Sequence, residues 1–411
     1  MRIGHVASNI WASVHLDMAK ALRRAGHEVC VYTEDARAPS ARTFTRVTEN
    51  GVELWVVHPE RRNPFLWLPD RLGKALLGSL LGRRFFTTLF ALDRYVSQSR
   101  CDNYLVEGDS LGLAMALLGR MRRIPWVMSV HDHEYLGVAF GYAGEPSSER
   151  RESLKRWVLR QADGIRANSH VTRDALARSG IDERAIRVVP LHWTPRMIMP
   201  GELEDFRTAA RPEVTTRYGL RADCDLILAS CRLTPFKGLE LAVQALARVL
   251  KTRPQARLLI CGADRRVPGV GSYRAILERT ANEAGVSAAI VFTGDVPTDG
   301  MKTCYAAADV HVAPSHVDTF NYSALEAALA GTHTIMTETV GSGPWLAACG
   351  AATIVRGRDP QTFGEAVAST LAARPDAGSR RAIAECVREV LSADALAPEL
   401  VSTLRACAAA H

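Results

Sequence analysis

The chain has 411 residues, which is too long for one ordinary doubly wound domain and about right for two. Its 23% of charged residues and 47% of hydrophobic residues are typical of a globular protein and argue against a disordered chain. The net charge of +7 allows an anionic ligand or a membrane surface, but no aromatic residues alternate with the basic clusters, which argues against a nucleic-acid-binding protein.

The N-terminus predicts a first strand and not a signal peptide, because no apolar run with a cleavage site follows residues 1–6. No run of about 18 uncharged apolar residues occurs, so we expect no transmembrane helix. The nine cysteines, Cys349 among them, form no C-x-x-C pairs. We therefore expect neither a disulfide framework nor a zinc site, and favour free buried thiols in the cytoplasm.

Strand and helix patterns alternate through the first half of the chain. Apolar, β-rich runs lie at 3–7, 29–33, 54–58, 104–107, 126–131, 164–168 and 186–190. Several of these runs are apolar without interruption, as expected for strands covered on both faces of a sheet. Between the first two, Ser13 is a predicted N-cap and Gly26 ends the helix. The first half therefore predicts βαβ units.

The periodicity lapses at 194–211 and then restarts. Further strand patterns lie at 226–231, 258–261, 290–293, 310–313, 334–337 and 353–355, with helix patterns between them. We predict a first domain at 1–193, a linker at 194–211, a second domain at 212–390 and a C-terminal helix at 391–411 that could pack back on the first domain. The predicted fold class is α/β, with two doubly wound Rossmann-like domains that face each other across a cleft.

Two cations flank a turn between a strand and a helix in the second half. Arg232 follows the strand directly, and Lys237 opens the next helix. A guanidinium fork, an ammonium and a helix N-terminus can together bind a diphosphate. The alternative is that the two cations are an ordinary solvated pair on the surface.

Two acids follow the strand at 310–313. Asp318 is expected in the loop after the strand, and Glu326 about two turns into the following helix. A loop carboxylate can accept hydrogen bonds from sugar hydroxyls, and a helix carboxylate can accept them from both hydroxyls of a ribose. The alternative is that they are ordinary capping or surface acids.

Together these segments resemble glycosyltransferase family 4, the retaining nucleotide-sugar enzymes of GT-B architecture. The matching pieces in the second half are Arg232 with Lys237, Leu259-Ile260-Cys261-Gly262, Phe292-Thr293-Gly294, Ala308-Asp309-Val310, Pro314-Ser315, the acid pair and Gly341-Ser342-Gly343. The first half has Gly26-His27-Glu28-Val29 and a strand-end histidine, His131. The first acid of the family is usually Glu, whereas this chain has Asp318.

The resemblance implies a retaining transfer from a UDP- or GDP-linked sugar. It assigns the stabilisation of the departing diphosphate to Arg232 and Lys237, the ribose to Glu326, the donor sugar to Asp318, and a contact near the reacting carbon to His131. The other implied donor-binding residues are Gly262, Gly294, Thr319, Phe320 and Asn321. No cofactor or metal is expected, because the two cations neutralise the departing diphosphate in place of a metal ion. His131-Asp132-His133-Glu134 could also be metal ligands, but a polar cluster lining a cleft is favoured.

The acceptor side is predicted at strand ends of the first domain. The predicted acceptor-binding residues are Asn9, Trp11, Glu107, Asp109, Asp132, His133, Glu134 and Tyr135. Four of these residues are acids, Glu107, Asp109, Asp132 and Glu134, and they suit a small cationic acceptor. An aminocyclitol, an amino sugar or a thiol compound would fit, which indicates a role in specialised metabolism such as antibiotic biosynthesis. The alternative is that these acids pair with Arg120, Arg122 and Arg123.

Other functions stay open at this point. One is a membrane-associated transferase acting on a lipid or polysaccharide, since 64–90 mixes Leu, Trp and Phe with basic residues. Another is a nucleotide-sugar epimerase or hydrolase of the same architecture, because a fold does not fix a function. A homodimer also remains open.

Overall fold

A computed structural model describes the chain as two compact units. The N-terminal unit comprises Met1–His192 and Ala393–His411, and the C-terminal unit comprises Trp193–Ser392. The described residues are 1–8, 14–34, 44–57, 69–71, 85–131, 149–197, 199, 201–264, 266–267 and 271–408. Each unit is built around its own sheet and its own apolar core.

Within the described residues, eight strands form the sheet of the N-terminal unit, in the order β3-β4-β2-β1-β5-β6-β7-β8. The strands are β1 (Arg2–Val6), β2 (Glu28–Glu34), β3 (Phe44–Glu49), β4 (Val52–Val57), β5 (Asn103–Glu107), β6 (Trp126–Val130), β7 (Gly164–Ala167) and β8 (Ile186–Val188). Only β3 is antiparallel to its neighbour among them. The predicted parallel strands of this half are therefore present, and β3 is an additional edge strand that the sequence did not reveal.

Helices cover both faces of this sheet. They are α1 (Val14–Arg24), α2 (Phe85–Ser99), α3 (Asp109–Arg122), α4 (Glu149–Gln161), α5 (His170–Arg178) and, from the C-terminal end of the chain, α14 (Ala393–Ala408). The last of these packs Leu400 and Leu404 into the cluster that contains Leu22 of α1. Arg24 forms a bidentate ion pair with Asp394 at 2.8 Å. The C-terminal helix is thus part of the N-terminal unit.

Within the described residues, six parallel strands form the main sheet of the C-terminal unit, in the order β13-β10-β9-β14-β15-β16. They are β9 (Leu226–Ser230), β10 (Arg257–Cys261), β13 (Ile290–Gly294), β14 (Val310–Ala313), β15 (Thr334–Thr337) and β16 (Ala352–Val355); β11 (Arg266–Val267) and β12 (Gly271–Ser272) form a small separate pair. The helices are α6 (Leu203–Arg217), α7 (Leu239–Leu250), α8 (Tyr273–Glu283), α9 (Thr298–Ala307), α10 (Tyr322–Leu329), α11 (Gly343–Ala348), α12 (Pro360–Ala373) and α13 (Ala377–Val390). Each unit is therefore an α/β unit built on a mostly parallel sheet, as the sequence predicts.

The segment predicted as a linker, 194–211, lies in the C-terminal unit. It includes the first half of α6, whose Leu203 and Ala210 are buried. Arg207 of this helix donates hydrogen bonds to the carbonyl oxygens of Ala330, at 2.7 Å, and Ala308, at 3.0 Å. In the sequence Arg207 resembles a surface charge, because a hydrogen bond to a distant carbonyl leaves no local pattern.

The expectation that all cysteines are free thiols is wrong for two of them. Cys349, at the end of α11, and Cys386, in α13, form a disulfide across a separation of 37 residues. That spacing matches no local motif, and only the packing of the two helices brings the sulfurs together. The other seven cysteines are free, and five of those are buried. Among the described residues, no helix is both long and apolar enough to cross a membrane.

Candidate functional site

In the C-terminal unit, the two predicted cations follow the central strand β9. Arg232 is exposed one residue beyond Cys231, and Lys237 ends a short 3-10 turn, Pro235–Lys237, that leads into α7. Gly238 connects this turn to α7 with φ 59°, a backbone conformation that glycine adopts at little cost. The turn therefore places Lys237 next to the N-terminus of α7, where backbone N–H groups favour an anion, and Arg232 is exposed just before the turn.

Lys237 forms an ion pair that the sequence did not predict. Its ammonium group binds the carboxylate of Asp318, and both side chains are largely buried. Asn321 donates a second hydrogen bond to the same carboxylate oxygen at 2.9 Å. The Asn321 carbonyl oxygen accepts from the Ala324 N–H at 2.8 Å and so caps α10. Asp318 is consequently held by two side chains, one from the turn after β9 and one from its own loop.

The glycine-rich turn after β15 supports the loop that contains Asp318. The N–H of Gly341 donates to the Asp318 carbonyl at 2.9 Å, and the N–H of Ser342 donates to that of Phe320 at 2.8 Å. The Phe320 ring is buried and lies 6.3 Å from the Trp345 ring, centroid to centroid. Backbone hydrogen bonds and aromatic packing therefore fix the predicted donor residues Asp318, Thr319 and Phe320 as one rigid loop.

Glu326 lies on α10 at the end of a chain of hydrogen bonds. The Tyr305 hydroxyl donates to one Glu326 oxygen at 2.8 Å, and the Ser230 hydroxyl donates to the Tyr305 oxygen at 3.0 Å. His311 Nε2 lies 3.0 Å from the same serine hydroxyl, and burial lowers the pKa of His311 to about 3, so this imidazole is neutral. Burial also raises the pKa of Glu326, against the opposing hydrogen bond from Tyr305.

Sequence reasoning missed the partners of Glu326. Tyr305 belongs to α9, Ser230 ends β9, and His311 lies within β14. Each appears in the sequence as an ordinary core position, and their hydrogen bonds exist only because three elements meet beside α10. The one available signal was the occurrence of polar residues within otherwise apolar runs.

Gly262 and Gly294 lie where two neighbouring strands end. The N–H of Gly262 donates to the carbonyl of Gly294 at 2.8 Å. Gly262 has φ 150°, and a Cβ atom there would lie 1.7 Å from the carbonyl oxygen of Cys231. The backbones of β9 and β10 therefore approach so closely that only glycine fits at this position.

The N-terminal unit has a different cluster at the carboxyl ends of its strands, formed by Glu107 and three histidines. Glu107 ends β5 and is buried. His5 Nε2 lies 3.2 Å from one Glu107 oxygen, while His15 Nδ1 and His131 Nε2 lie 2.8 and 3.1 Å from the other. The sequence predicted Glu107 and His131 as site residues, but it did not predict His5 of β1 or His15 of α1.

We call His5, His15, His131 and Glu107 the histidine cluster. Burial and neighbouring charge have opposite effects on its pKa values, and the outcome differs between Glu107, His15 and His5. Burial alone would raise the pKa of Glu107, but positive charge on His15 and His131 holds it well below its usual range. Burial would lower the pKa of His15, yet the charge of Glu107 outweighs burial and raises it. For His5, burial outweighs the same carboxylate and lowers the pKa. The carboxylate is therefore charged and His5 is neutral.

The remaining predicted acceptor residues divide into two groups. Asp109 begins α3 and lies 3.3 Å from the ammonium nitrogen of Lys155 on α4. Six residues lie outside the described part of the chain: Asn9, Trp11, Asp132, His133, Glu134 and Tyr135. Glu107 and Asp109 thus both have basic protein partners, which are histidines and a lysine and not the arginines at 120–123.

Comparison with known families agrees with this arrangement over both units. Residues 12–192 match the family described as Glycosyl transferase 4-like domain, and residues 224–373 match Glycosyl transferases group 1. The chain belongs to glycosyltransferase family 4. The two matched regions contain Glu107 and His131 in the first and all the predicted donor residues in the second.

The chain is also similar to individual glycosyltransferases over most of its length. It is 28% identical to a D-inositol 3-phosphate glycosyltransferase of Acidothermus cellulolyticus over 61% of each chain. It is 27% identical to an uncharacterized glycosyltransferase of Methanocaldococcus jannaschii, over 79% of this chain and 75% of that protein. The chain therefore spans about three fifths of the length of the inositol-phosphate relative.

Solved structures show the same fold at low sequence identity. A sucrose-phosphate synthase of Thermosynechococcus elongatus is 20% identical, with a TM-score of 0.70 over 100% of both chains. The catalytic domain of starch synthase IV of Arabidopsis thaliana, bound to ADP and acarbose, is 13% identical, with a TM-score of 0.69 over 99% of both chains.

The close approach at Gly262 generates a stability prediction. Gly262→Ala is expected to lower the free energy of unfolding by about 3 kcal/mol or more, because backbone strain adds to overlap with the Cys231 carbonyl. Gly294→Ala is the matched control, since φ is also positive there but nothing lies within 4 Å of the added carbon. This control is expected to lose about 1–2 kcal/mol. Urea unfolding measures both, and equal losses would contradict the close approach.

Proposed function

We propose that the protein transfers a sugar from a nucleoside-diphosphate sugar to a small polar acceptor, with retention of anomeric configuration. The observation that supports this most strongly is the joint placement of Arg232, Lys237, Asp318 and Glu326 beyond the ends of β9 and β14. Ligands of doubly wound sheets bind beyond the carboxyl ends of the strands, so these four side chains surround the place where a nucleotide is expected.

In this proposal the diphosphate binds at the N-terminus of α7. Arg232 is exposed and can present its planar fork to phosphate oxygens. Lys237 uses one of its three N–H donors on Asp318, which leaves two for a phosphate. Negative charge grows on the diphosphate as the sugar departs, so both cations act most strongly in the transition state.

Glu326 is proposed to bind the ribose. Tyr305 donates to only one of its two carboxylate oxygens, so the other can accept hydrogen bonds from sugar hydroxyls. Asp318, oriented by Lys237 and Asn321, is proposed to bind the donor sugar, and His131 to contact that sugar near the reacting carbon. Gly262 and Gly294 keep the backbone near the nucleotide free of side chains.

The diphosphate cations generate the first functional prediction. Arg232→Ala and Lys237→Ala are each expected to lower turnover by about 10²-fold or more, the scale of losing one transition-state donor. Arg221→Ala is the control, because Arg221 is an exposed arginine of the same unit that pairs only locally, with Asp223. Steady-state assays measure all three, and near-normal turnover in either site variant would show that the diphosphate binds elsewhere.

Glu326 and Asp318 should affect different parts of the donor. Glu326→Gln is expected to weaken binding of the free nucleoside diphosphate and of the nucleotide sugar alike, by about 10-fold or more, because both contain the ribose. Asp318→Asn is expected to weaken mainly the binding of the nucleotide sugar, since it removes no direct contact to the nucleotide and frees a donor of Lys237. Calorimetry with both ligands is the test, and equal losses in both variants would refute these roles.

We propose that the transfer needs no metal ion, because two cations and a helix N-terminus already face the leaving group. Turnover is therefore expected to persist after exhaustive treatment with EDTA, measured against untreated protein. Complete loss of turnover that a divalent ion restores would contradict this proposal.

For the acceptor we propose a small, water-soluble cyclitol or amino sugar. The case for a cationic acceptor rested on four acids, and two of them, Glu107 and Asp109, have basic partners within the N-terminal unit. The relative from Acidothermus is named for an inositol phosphate, which is a cyclitol that bears negative charge. Reaction in the cytoplasm and a place in specialised metabolism are parts of this proposal that rest on the sequence alone.

An acceptor panel tests the proposed class. With the donor identified, transfer is expected to inositols, inositol phosphates, aminocyclitols or amino sugars, and not to lipid or peptide acceptors. Transfer only to a lipid or peptide would overturn the proposal, and conversion of the donor without any acceptor would favour an epimerase or hydrolase. A preference for the amine-bearing members would support the cationic acceptor that the sequence first indicated.

A further inference from the structure

The histidine cluster of the N-terminal unit contains more ligating atoms around one carboxylate than an ion pair needs. His5, His15 and Glu107 each offer one atom, and these three atoms lie within 4.8 Å of one another. The three residues come from β1, α1 and β5, so the fold brings them together independently. The side chains of His5 and Glu107 are almost fully buried, and that of His15 is 19% exposed.

His5 Nε2 forms a hydrogen bond with one Glu107 oxygen at 3.2 Å, whereas the contacts to the other Glu107 oxygen are close without being well-directed hydrogen bonds. One Glu107 oxygen lies 2.8 Å from His15 Nδ1 and 3.1 Å from His131 Nε2. Among the described residues, that buried oxygen nevertheless has no hydrogen-bond partner of acceptable geometry. One oxygen of this buried carboxylate is therefore left without a directed hydrogen bond, and a cation held between it and the neighbouring imidazoles would satisfy it.

We propose that His5, His15 and Glu107 bind a divalent transition-metal ion, with Zn²⁺ as the best match. Two imidazoles and one carboxylate form a ligand set found in zinc enzymes that keep a further position open. Imidazole nitrogen selects zinc-like ions over Mg²⁺ and Ca²⁺, which prefer oxygen ligands alone. His131 Nε2 lies 3.1 Å from the same carboxylate and 2.9 Å from the Ser129 hydroxyl oxygen, so it adjoins the proposed site.

None of the residues proposed to bind the nucleotide belongs to this cluster, although His131, proposed to contact the donor sugar, lies beside it. The ion is therefore not required for binding a nucleotide, and its binding can be tested whether or not the proposed transfer occurs. A consequence for activity does rest on the proposed function. A bound ion would take Glu107 away from His131, so Zn²⁺ is expected to inhibit transfer.

The test is a titration of EDTA-treated, buffer-exchanged full-length protein with Zn²⁺, in competition with a chromophoric chelator. One tightly bound ion per chain is expected. His15→Gln and Glu107→Gln should each weaken this binding by about 100-fold or more, beyond the 10–100-fold loss typical of residues that only support a ligand. His27→Gln is the control, because His27 directly precedes β2 and so lies at the amino ends of the parallel strands, whereas the cluster lies at their carboxyl ends. Binding in this control should equal that of the unchanged protein.

Folding is checked separately, because Glu107 is buried. Circular dichroism and thermal unfolding are measured for every variant, and His15→Gln decides the question if Glu107→Gln does not fold, since His15 is partly exposed. Full retention of the tight site in His15→Gln, or an equal loss in His27→Gln, would overturn the proposal, as would the absence of stoichiometric binding. In the transfer assay, Zn²⁺ is expected to inhibit the unchanged protein and to inhibit His15→Gln only at much higher concentration.

Discussion

The ion pair between Lys237 and Asp318 is the contact on which the C-terminal site depends. It joins the turn after β9 to the loop after β14, and both partners are largely withdrawn from water. A buried ion pair contributes little net stability, but removal of one partner leaves the other charged and unsatisfied. The surrounding structure consequently holds both: Asn321 donates to Asp318, and the Gly341 N–H holds the carbonyl of the same residue. The pair thus fixes the shape of the site in the absence of any ligand.

The sequence predicts the framework of the fold well where the physical signal is local. Strands such as β5 and β9 have an apolar centre and are buried throughout, as expected for parallel strands covered on both faces. The edge strand β3 was missed because its residues are mostly exposed and polar, so it lacks such a run. Helix α6 was missed because Arg207 and Pro212 conceal its apolar face, which becomes clear only from its packing.

The predicted site residues show the same division between local and distant causes. Arg232, Lys237, Asp318 and Glu326 stand out as candidate donor residues because each follows a strand within a recognisable segment. Their partners could not, because Tyr305 reaches Glu326 from another helix and the Lys237–Asp318 contact spans 81 residues. In the N-terminal unit His5 lies inside a strand that was predicted as plain core. A sequence pattern therefore located the charged groups, but it could not say how each charge is balanced.

The two units balance their buried acids in chemically different ways, and this difference matters for what each can bind. Asp318 faces an ammonium and an amide, neither of which changes its charge near neutral pH, so its environment is fixed. Glu107 faces three imidazoles, and an imidazole can be a cation, a hydrogen-bond donor or a neutral ligand. The proposed metal ion, or a polar acceptor, would meet imidazoles that can each take a different protonation state. The surroundings of Asp318 thus hold one charge state, whereas those of Glu107 can change theirs.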